Sequence, residues 1–361
     1  MLREWKDSEG LKININFLNL KRSRQYKENS GRDMRRYLTV FLAFFLLLTM
    51  ISCGGGGDKS KAPKTRFISI GTGGITGVYY PAGGVIAKMI NDKSDEYGLK
   101  ATVQATGGSV FNINAITSGD MDFGIAQVDR LHQAYIGQAE WEGNPQTGLR
   151  TVFNLHTESV TLIASETSGI QKAEDLRGKT VAIGNPGSGN RGNAIDALSA
   201  YNMTLDDIRA EDLKPAECAG MLQDGRIDAY FYTVGHPNGS IKEAVAGQTK
   251  VRFIALDKVD SLITKYPYYS KSIIDISSYP GVLNTENVES FGVKATIVTS
   301  EKEPDDIVYT LAKEVFENFE NFKTQHPAFI NLTKEGMITG LTAPLHPGAK
   351  KYFVEKGLLS E

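Results

Sequence analysis

The feature that most constrains the fold is an alternation of short β-branched runs and helical patterns that begins at Arg66. In the first series, strand patterns and helix patterns alternate over residues 67–70, 78–92, 100–104, 110–118 and 122–126. A second series follows, with strand patterns at 160–165, 180–184, 227–233 and 251–256 and helix patterns at 173–176, 193–201, 216–224 and 240–246. Strands and helices at this spacing predict βαβ units, a mostly parallel sheet and an α/β fold.

The two series predict two lobes. A later strand pattern at residues 291–299 and an amphipathic helix pattern at 305–322 indicate that the chain returns to the first series. We therefore assign residues 66–158 and 293–361 to lobe I and residues 159–292 to lobe II. Two chain crossings make a hinge, and a hinge predicts a cleft that closes on a ligand.

The N-terminal region predicts export. An apolar run at residues 38–51 follows Arg35 and Arg36 and is too short for a relaxed membrane span of about 20 residues. Ser52 and Cys53 follow at once, which resembles a bacterial lipoprotein signal: signal peptide at 34–52, lipid on Cys53 and a flexible tether at 53–65. A simple secretory signal and an uncleaved anchor are the alternatives. Residues 1–33 are interpreted as an upstream extension or a cytoplasmic tail. The expected location is periplasmic or extracytoplasmic, with a lipid anchor in the membrane.

Charge argues against nucleic acid as a partner. The net charge is −2, but residues 1–36 are basic, so the body of the chain is acidic. Phosphate binding needs a positive footprint on the folded surface, which an acidic body does not supply.

Three glycine-rich turns each lie between a predicted strand and a predicted helix, at residues 71–77, 106–109 and 184–192. The first N–H groups of a helix are unpaired and carry partial positive charge, so each turn is a candidate position for an anion. Glycines that only permit tight turns are the alternative for any one of them.

Sequence motifs for cofactors and catalysis are absent. Thr76 occupies the third glycine position of a dinucleotide fingerprint, and no phosphate-binding loop of the Walker type is present. The five histidines are scattered without metal-ligand spacing. Ser188 is not in a nucleophile elbow, because Pro186 stands where the first glycine of G-x-S-x-G is required. We predict no cofactor, no metal and no catalytic residue. Cys218 is expected to be a buried structural thiol.

Several blocks resemble the TAXI family of solute-binding proteins, the extracytoplasmic receptors of one branch of tripartite ATP-independent periplasmic (TRAP) transporters. They include GTGGITGVYYPxGG at residues 71–84, TGGSVxN at 106–112 and GDxDxGxxQxD at 119–129. Further blocks are GSG at 187–189, DGxIDA at 224–229 and DIVY at 306–309. The resemblance spans about residues 66–350. One departure is Asn190, where the family usually has Thr after Gly-Ser-Gly.

The resemblance implies a two-lobed, type II-like periplasmic binding protein with a hinge of two chain crossings. Its function would be to capture a small organic anion, either a glutamate-like amino acid or a C4/C5 dicarboxylate, and to deliver it to TRAP membrane permease subunits. No enzyme activity is implied, and we expect a monomer. A periplasmic sensory protein and an enzyme with an unrecognised site are the alternatives.

The predicted ligand-binding residues come from both lobes. Tyr79 is expected in the cleft in preference to Tyr80, and Arg191 is the candidate for a bidentate carboxylate partner. Asp129, Lys294 and His236 are left between structural and ligand roles. The full set is Gly73, Gly74, Thr76, Tyr79, Gly108, Ser109, Gln127, Gly187, Ser188, Asn190, Arg191 and Thr233.

Overall fold

The computed structural model describes residues 65–360. The predictions for residues 1–33, for the signal peptide at 34–52, for Cys53 and for the tether up to residue 64 lie outside the described residues.

Ten strands form one mixed sheet in this part of the chain, in the order β2-β1-β3-β10-β4-β7-β5-β6, with β8 beside β4 and β9 beside β10. Their bounds are β1 Arg66–Gly71, β2 Leu99–Gln104, β3 Phe123–Gln127, β4 Leu149–Ser165, β5 Thr180–Ala182, β6 Arg209–Glu211, β7 Ala229–Val234, β8 Val251–Ile254, β9 Ser270–Ile274 and β10 Val288–Ser300. The predicted α/β class is confirmed.

The helices cover the sheet and lie mainly in the connections. Their bounds are α1 Tyr79–Asp92, α2 Ser94–Tyr97, α3 Ser109–Ser118, α4 Val128–Ile136, α5 Gly189–Ala200, α6 Pro215–Gln223, α7 Gly239–Ala246, α8 Asp260–Lys265, α9 Asp305–Glu317, α10 Phe319–Thr324, α11 Lys334–Met337 and α12 Pro347–Glu355.

Lobe I is built on the parallel strands β1, β2 and β3. Helix α1 buries Ala82, Ile86 and Ile90 at helical spacing, so one apolar face packs on the sheet. All residues of β3 are buried, as expected for a parallel strand that is covered on both faces. The carboxyl ends of β1, β2 and β3 lead into turns before α1, α3 and α4, which brings those helix starts to one edge of the lobe.

Lobe II is built on β5, β6, β7 and β8. Strand β5 pairs parallel with β6 and with β7, whereas β7 and β8 pair antiparallel with β4. A second apolar cluster, which includes Leu162, Val181 and Phe231, fills this lobe.

Strands β4 and β10 run through both lobes side by side. They have 17 and 13 residues and pair antiparallel along most of their length. Ser159 of β4 faces Gly292 of β10, at the lobe boundaries that we predict from the sequence. The boundaries at 158/159 and 292/293 stay a prediction, but two long strands form the connection between the lobes.

Three expectations about elements need correction. The sheet is mixed instead of mostly parallel, because β4 and β10 pass between the lobes antiparallel to their neighbours. The helix pattern at residues 305–322 is two helices, α9 and α10, interrupted at Asn318. The Asn318 amide donates to the backbone carbonyl of Glu314 at 2.8 Å, a local bond that competes with helix continuation. The strand pattern at 160–165 is only the end of β4.

Candidate functional site

A cleft lies between the lobes, where the three glycine-rich turns meet, and encloses a cavity of about 120 Å³. At roughly 10–15 Å³ per water-sized group, this space fits a ligand the size of an amino acid. Both lobes supply its walls, which are formed by Gly73, Gly74, Thr76, Gly77, Val78, Tyr79, Thr106, Gly107, Gly108, Ser109, Gln127, Glu158, Asn185, Ser188, Gly189, Asn190, Lys214, Pro215, Ala216, Tyr232, Thr233 and Val234.

Three helices begin at this cleft. Helices α1 and α3 begin at Tyr79 and Ser109, and neither has a side-chain cap on its first N–H groups. Helix α5 begins at Gly189 and is capped by Ser188, whose Oγ accepts from Arg191 N at 3.2 Å. The open N–H groups of α1 and α3 leave the lobe I wall rich in hydrogen-bond donors and in partial positive charge.

Glycine allows the two lobes to approach each other here. Gly108 has φ +108°, and a Cβ at this position would be 3.4 Å from Ser188 Cα in the opposite lobe. A Cβ at Gly189 would overlap the Gln127 amide of lobe I. The walls therefore meet through backbone, and a side chain at either glycine would separate them.

Glu158 of β4 is the acidic group in the cleft lining. It is 3% exposed and accepts a hydrogen bond from the Tyr79 hydroxyl at 2.7 Å. Burial raises the pKa of Glu158 to about 8, while the bond from Tyr79 opposes that shift. His156 Nε2 lies 3.8 Å from Glu158 Oε1, but burial lowers the pKa of His156 to about 3, so this histidine is neutral.

Two polar atoms of the cleft lining have no partner. These are Gln127 Oε1 and Thr233 Oγ1, both buried. Buried polar atoms in folded proteins are normally hydrogen-bonded, so a bound molecule is the natural partner for both.

The structure places most of the predicted site residues in this cleft lining and two outside it. Arg191 forms an ion pair with Asp212 on the surface of lobe II, so its guanidinium is engaged elsewhere. The carbonyl of Gly187 accepts from Phe111 N at 3.0 Å in lobe I, a contact beside the cleft. Tyr79 lies in the cleft lining, and Tyr80 is 38% exposed outside it.

The side chain of Asn190, which departs from the TAXI pattern, makes two hydrogen bonds to β7. Its side-chain oxygen accepts from Thr233 N at 2.8 Å, and its amide donates to Phe231 O at 3.0 Å. The side chain thus joins the start of α5 to β7 and holds Thr233 at the cleft.

The remaining candidates lie apart from the cleft lining. His236 bonds with Tyr279 and Thr161, and Lys294 donates to the carbonyls of Gly336 and Thr339. Cys218 is buried, as expected, and burial raises the pKa of its thiol to about 12.

Asp129 belongs to a buried network that joins the lobes. Asp129 Oδ2 accepts from Arg130 Nη2, from Asn193 Nδ2 and from the Tyr269 hydroxyl, at 3.0, 2.7 and 3.0 Å. Arg130 Nη2 also lies 3.1 Å from Asp196 of α5. We call Asp129, Arg130, Asn193, Asp196 and Tyr269 the interlobe network.

Seven residues of the lining lie outside the three glycine-rich turns and were missed from the sequence: Val78, Glu158, Lys214, Pro215, Ala216, Tyr232 and Val234. Glu158, Lys214 and Tyr232 are the ones with polar side-chain groups. A signal existed for Glu158, because it is an acidic residue in a stretch from Val152 to Val160 that contains several apolar residues. Lys214 and Tyr232 carry no such signal, because only the fold brings the turn before α6 and the middle of β7 to this cleft.

Residues 65–360 contain neither a candidate metal site nor a candidate membrane span. Within this range, no group of three or more His, Cys, Asp or Glu residues is arranged to hold a metal ion. Across the same described range, no helix combines the length and apolar character needed to cross a membrane.

The chain is similar to several solved structures and to one family model. A protein from Bordetella bronchiseptica RB50 is similar in structure, with a TM-score of 0.51 and 12% identity over 81% of this chain and 99% of that chain. The alkanesulfonate-binding protein SsuA from Xanthomonas axonopodis pv. citri, bound to MOPS, has a TM-score of 0.44 and 16% identity over 82% and 94% of the two chains. The GluR0 ligand-binding core from Nostoc punctiforme, in complex with L-glutamate, has a TM-score of 0.42 and 16% identity over 73% and 100%. The model of the NMT1-like family matches residues 70–357. The chain therefore belongs to the NMT1-like family.

Proposed function

We propose that this protein is an extracytoplasmic substrate-binding receptor of a TRAP-type transporter, of the TAXI branch. In this function it captures a small organic anion, a glutamate-like amino acid or a C4/C5 dicarboxylate, and delivers it to a membrane permease. The observation that carries the proposal is the cleft itself, which is lined by residues of both lobes and receives the starts of α1, α3 and α5.

The chemistry of the cleft supports an anionic ligand. A carboxylate that enters a closing cleft loses its water and must regain hydrogen bonds, since an unpaired buried charge costs several kcal/mol. The open N–H groups at Tyr79 and Ser109 supply donors, and Lys214 supplies a positive charge in the lining. Because the lining contains no arginine, backbone donors carry most of this recognition.

The direct test is a thermal-shift and calorimetry panel of L-glutamate, L-glutamine, glutarate, succinate and 2-oxoglutarate. A ligand present at 100 times its Kd adds about 2.7 kcal/mol of stability, which is readily detected as a rise in Tm. No stabilisation by any carboxylate in the panel would contradict the proposal.

The first prediction concerns Gly108. Gly108→Val puts a branched side chain against Ser188, so we expect ligand affinity to fall more than tenfold, about 1.4 kcal/mol, in calorimetry. The matched control is Gly119→Val, since Gly119 also has positive φ, +84°, but no atom lies within 4 Å of its Cβ position. Gly119→Val should cost stability by backbone strain and keep the affinity.

A second control tests whether the side chain of Arg191, instead of the backbone N–H groups, binds the anion. Arg191→Ala removes a side chain that pairs with Asp212, and we expect it to leave affinity unchanged within about twofold. Loss of carboxylate binding in Arg191→Ala, with Gly108→Val unaffected, would show that a charged side chain holds the anion.

The second prediction concerns membrane attachment, which we propose through lipid on Cys53. Cys53→Ser should release the protein from the membrane fraction, because the thiol that receives the lipid is gone. Deletion of residues 1–33 should leave processing unchanged. A Cys53→Ser protein that stays with the membrane would contradict the lipid anchor.

A further inference from the structure

Glu158 occupies a position that the anion-binding argument does not use. It lies on β4 with His156 and Ser159 around it, and its carboxyl faces Tyr79 of α1 in the cleft lining. An acidic side chain in the wall of an anion-binding cleft repels carboxylates when it is ionised. Its presence therefore needs an explanation within the proposed function, on which this inference rests.

Glu158 lacks a cationic partner among residues 65–360. The basic nitrogen that the structure places within 4 Å is His156 Nε2, at 3.8 Å, and this buried histidine is neutral. The titratable and polar groups that surround Glu158 come from several elements: Tyr79 of α1, Gln127 of β3, Asp129 of α4, His156 of β4 and Tyr232 of β7. Lys214, before α6, belongs to the same cleft lining. None of these supplies a positive charge in contact with the carboxyl.

A buried carboxyl without a counter-charge holds its proton. Burial is the largest cause of the raised pKa of Glu158, and nearby Asp129 raises it further. Near neutral pH, Glu158 is therefore mainly the neutral acid in the ligand-free protein.

One of the other unpartnered atoms in this wall can only accept a hydrogen bond. Gln127 Oε1 accepts from no group in the described chain, and the Tyr79 hydroxyl already gives its hydrogen to Glu158. Thr233 Oγ1 also lacks a partner and, as a hydroxyl, can accept or donate. A ligand group with several N–H bonds suits such a wall better than another carboxylate does.

We propose that Glu158 is a specificity-determining residue that pairs with a cationic nitrogen of the ligand and releases its own proton to solvent when it does so. The proton balance is simple: the O–H bond of the carboxylic acid breaks, the proton goes to the buffer, and the carboxylate then accepts from the ligand's ammonium. The ligand class narrows to molecules that carry both a carboxylate and an ammonium, and deamino dicarboxylates are rejected.

Proton release gives a defined pH dependence. Because the free protein must give up a proton to bind, affinity rises with pH while Glu158 is protonated, by up to tenfold per pH unit, and levels off near pH 8. A ligand that only accepts from the neutral acid would show the opposite trend.

The experiment compares L-glutamate with glutarate, which has the same carbon chain without the ammonium, on the full-length protein. Calorimetry at pH 7 in phosphate and in Tris counts the protons released, since the two buffers differ in ionisation enthalpy. We expect close to one proton released with L-glutamate and at least tenfold weaker binding of glutarate. Glu158→Gln, which still accepts from Tyr79, should release no proton and lose most of the preference.

Glu303→Gln is the matched control. Glu303 is also buried, burial raises its pKa to about 7, and it pairs with Arg66 away from the cleft lining. This variant should leave the proton count of L-glutamate binding unchanged. If Glu158→Gln fails to fold, the inference is still tested by two measurements on the natural sequence: the number of protons released on binding and the change of affinity with pH.

Four outcomes would overturn the inference. Binding of L-glutamate without proton release, or an unchanged preference in Glu158→Gln, removes the role of Glu158. Tight binding of glutarate with no binding of L-glutamate also overturns it, yet leaves the receptor function intact. Failure of every carboxylate in the earlier panel overturns the proposed function and this inference together.

Discussion

Two neighbouring side chains of β4 respond to pH in opposite directions. Glu158 and His156 are both buried and both stay neutral near pH 7, because each lacks an opposite charge in contact. Burial raises the pKa of the acid and lowers the pKa of the base. The cleft wall is therefore uncharged at this point in the ligand-free protein.

The third prediction follows from these shifts in the ligand-free protein. The folded pKa of Glu158, about 8, exceeds its usual value of 4.5, so the folded state binds more protons between these pH values. Stability must then fall as pH rises from about 4.5 to about 8. Chemical denaturation across this range should show that fall in the natural sequence and a smaller one in Glu158→Gln; equal slopes would contradict the assignment.

His156 has the opposite effect on the pH dependence of stability. Its folded pKa of about 3 lies below its usual value of 6.5, so the unfolded state binds more protons between these values and stability falls with acidification below about pH 6.5. The two windows overlap, and for this reason the test compares slopes between variants instead of absolute stability.

The positions of the cleft glycines could be predicted from the sequence, because a tight turn before a helix requires glycine. The turns around Gly73, Gly108 and Gly189 lie at the cleft because glycine before a helix start marks a close approach. Glu158 could not be predicted in this way, because its role depends on the depth of its burial and on the absence of a cation beside it.

Among elements, α4 and α5 are joined across the lobes by the interlobe network. Arg130 is 3% exposed and Asp129 is fully buried, so each charge depends on the other for compensation. Asp196 and Asn193 bring α5 to this pair, and Tyr269 completes the set from the segment before β9. The network therefore holds the two helices in one arrangement.

The fourth prediction is made for Arg130→Met. Met keeps much of the apolar volume but leaves Asp129 without its cation, so we expect a loss of about 3–5 kcal/mol in chemical denaturation. Arg226→Met is the control, because Arg226 is exposed and lies 4.0 Å from exposed Asp224, and it should cost less than about 1 kcal/mol. Equal losses in the two variants would show that the network adds no stability.

The sequence predicted most elements but not how the sheet continues through both lobes. Strands β6 and β9 were missed, since Arg209–Glu211 and Ser270–Ile274 are largely exposed and lack an apolar run. No strand was predicted over the first half of β4, where the polar residues Asn154, His156 and Glu158 interrupt the apolar pattern. Those side chains are buried in the structure, and tertiary contacts override the local pattern there.

At the scale of the whole molecule, lobe I is made of segments that are far apart in the chain. Strand β10 lies between β3 and β4, and Arg66 at the start of β1 pairs with Glu303 just beyond β10. Helix α9 contributes Ile307, Val308 and Leu311 to the apolar core that also contains Ile68 and Ile86. The first strands along the chain thus depend on the last third of the sequence for their cover.

This strand order determines how early lobe I can fold while the chain is being synthesised. Until residues 288–300 emerge, β3 lacks one of its two neighbours and lobe I has an open edge, so the growing chain cannot complete either the sheet or the core of this lobe. As a fifth prediction, a chain that stops after residue 287 should be degraded rapidly in limited proteolysis and should unfold without a cooperative transition, whereas the full chain should resist. A protease-resistant lobe I in the truncated chain would contradict this. For the extracytoplasmic receptor that we propose, this order gains time: lobe I stays unfolded, and so able to pass through a secretion channel, until residue 300 has been made.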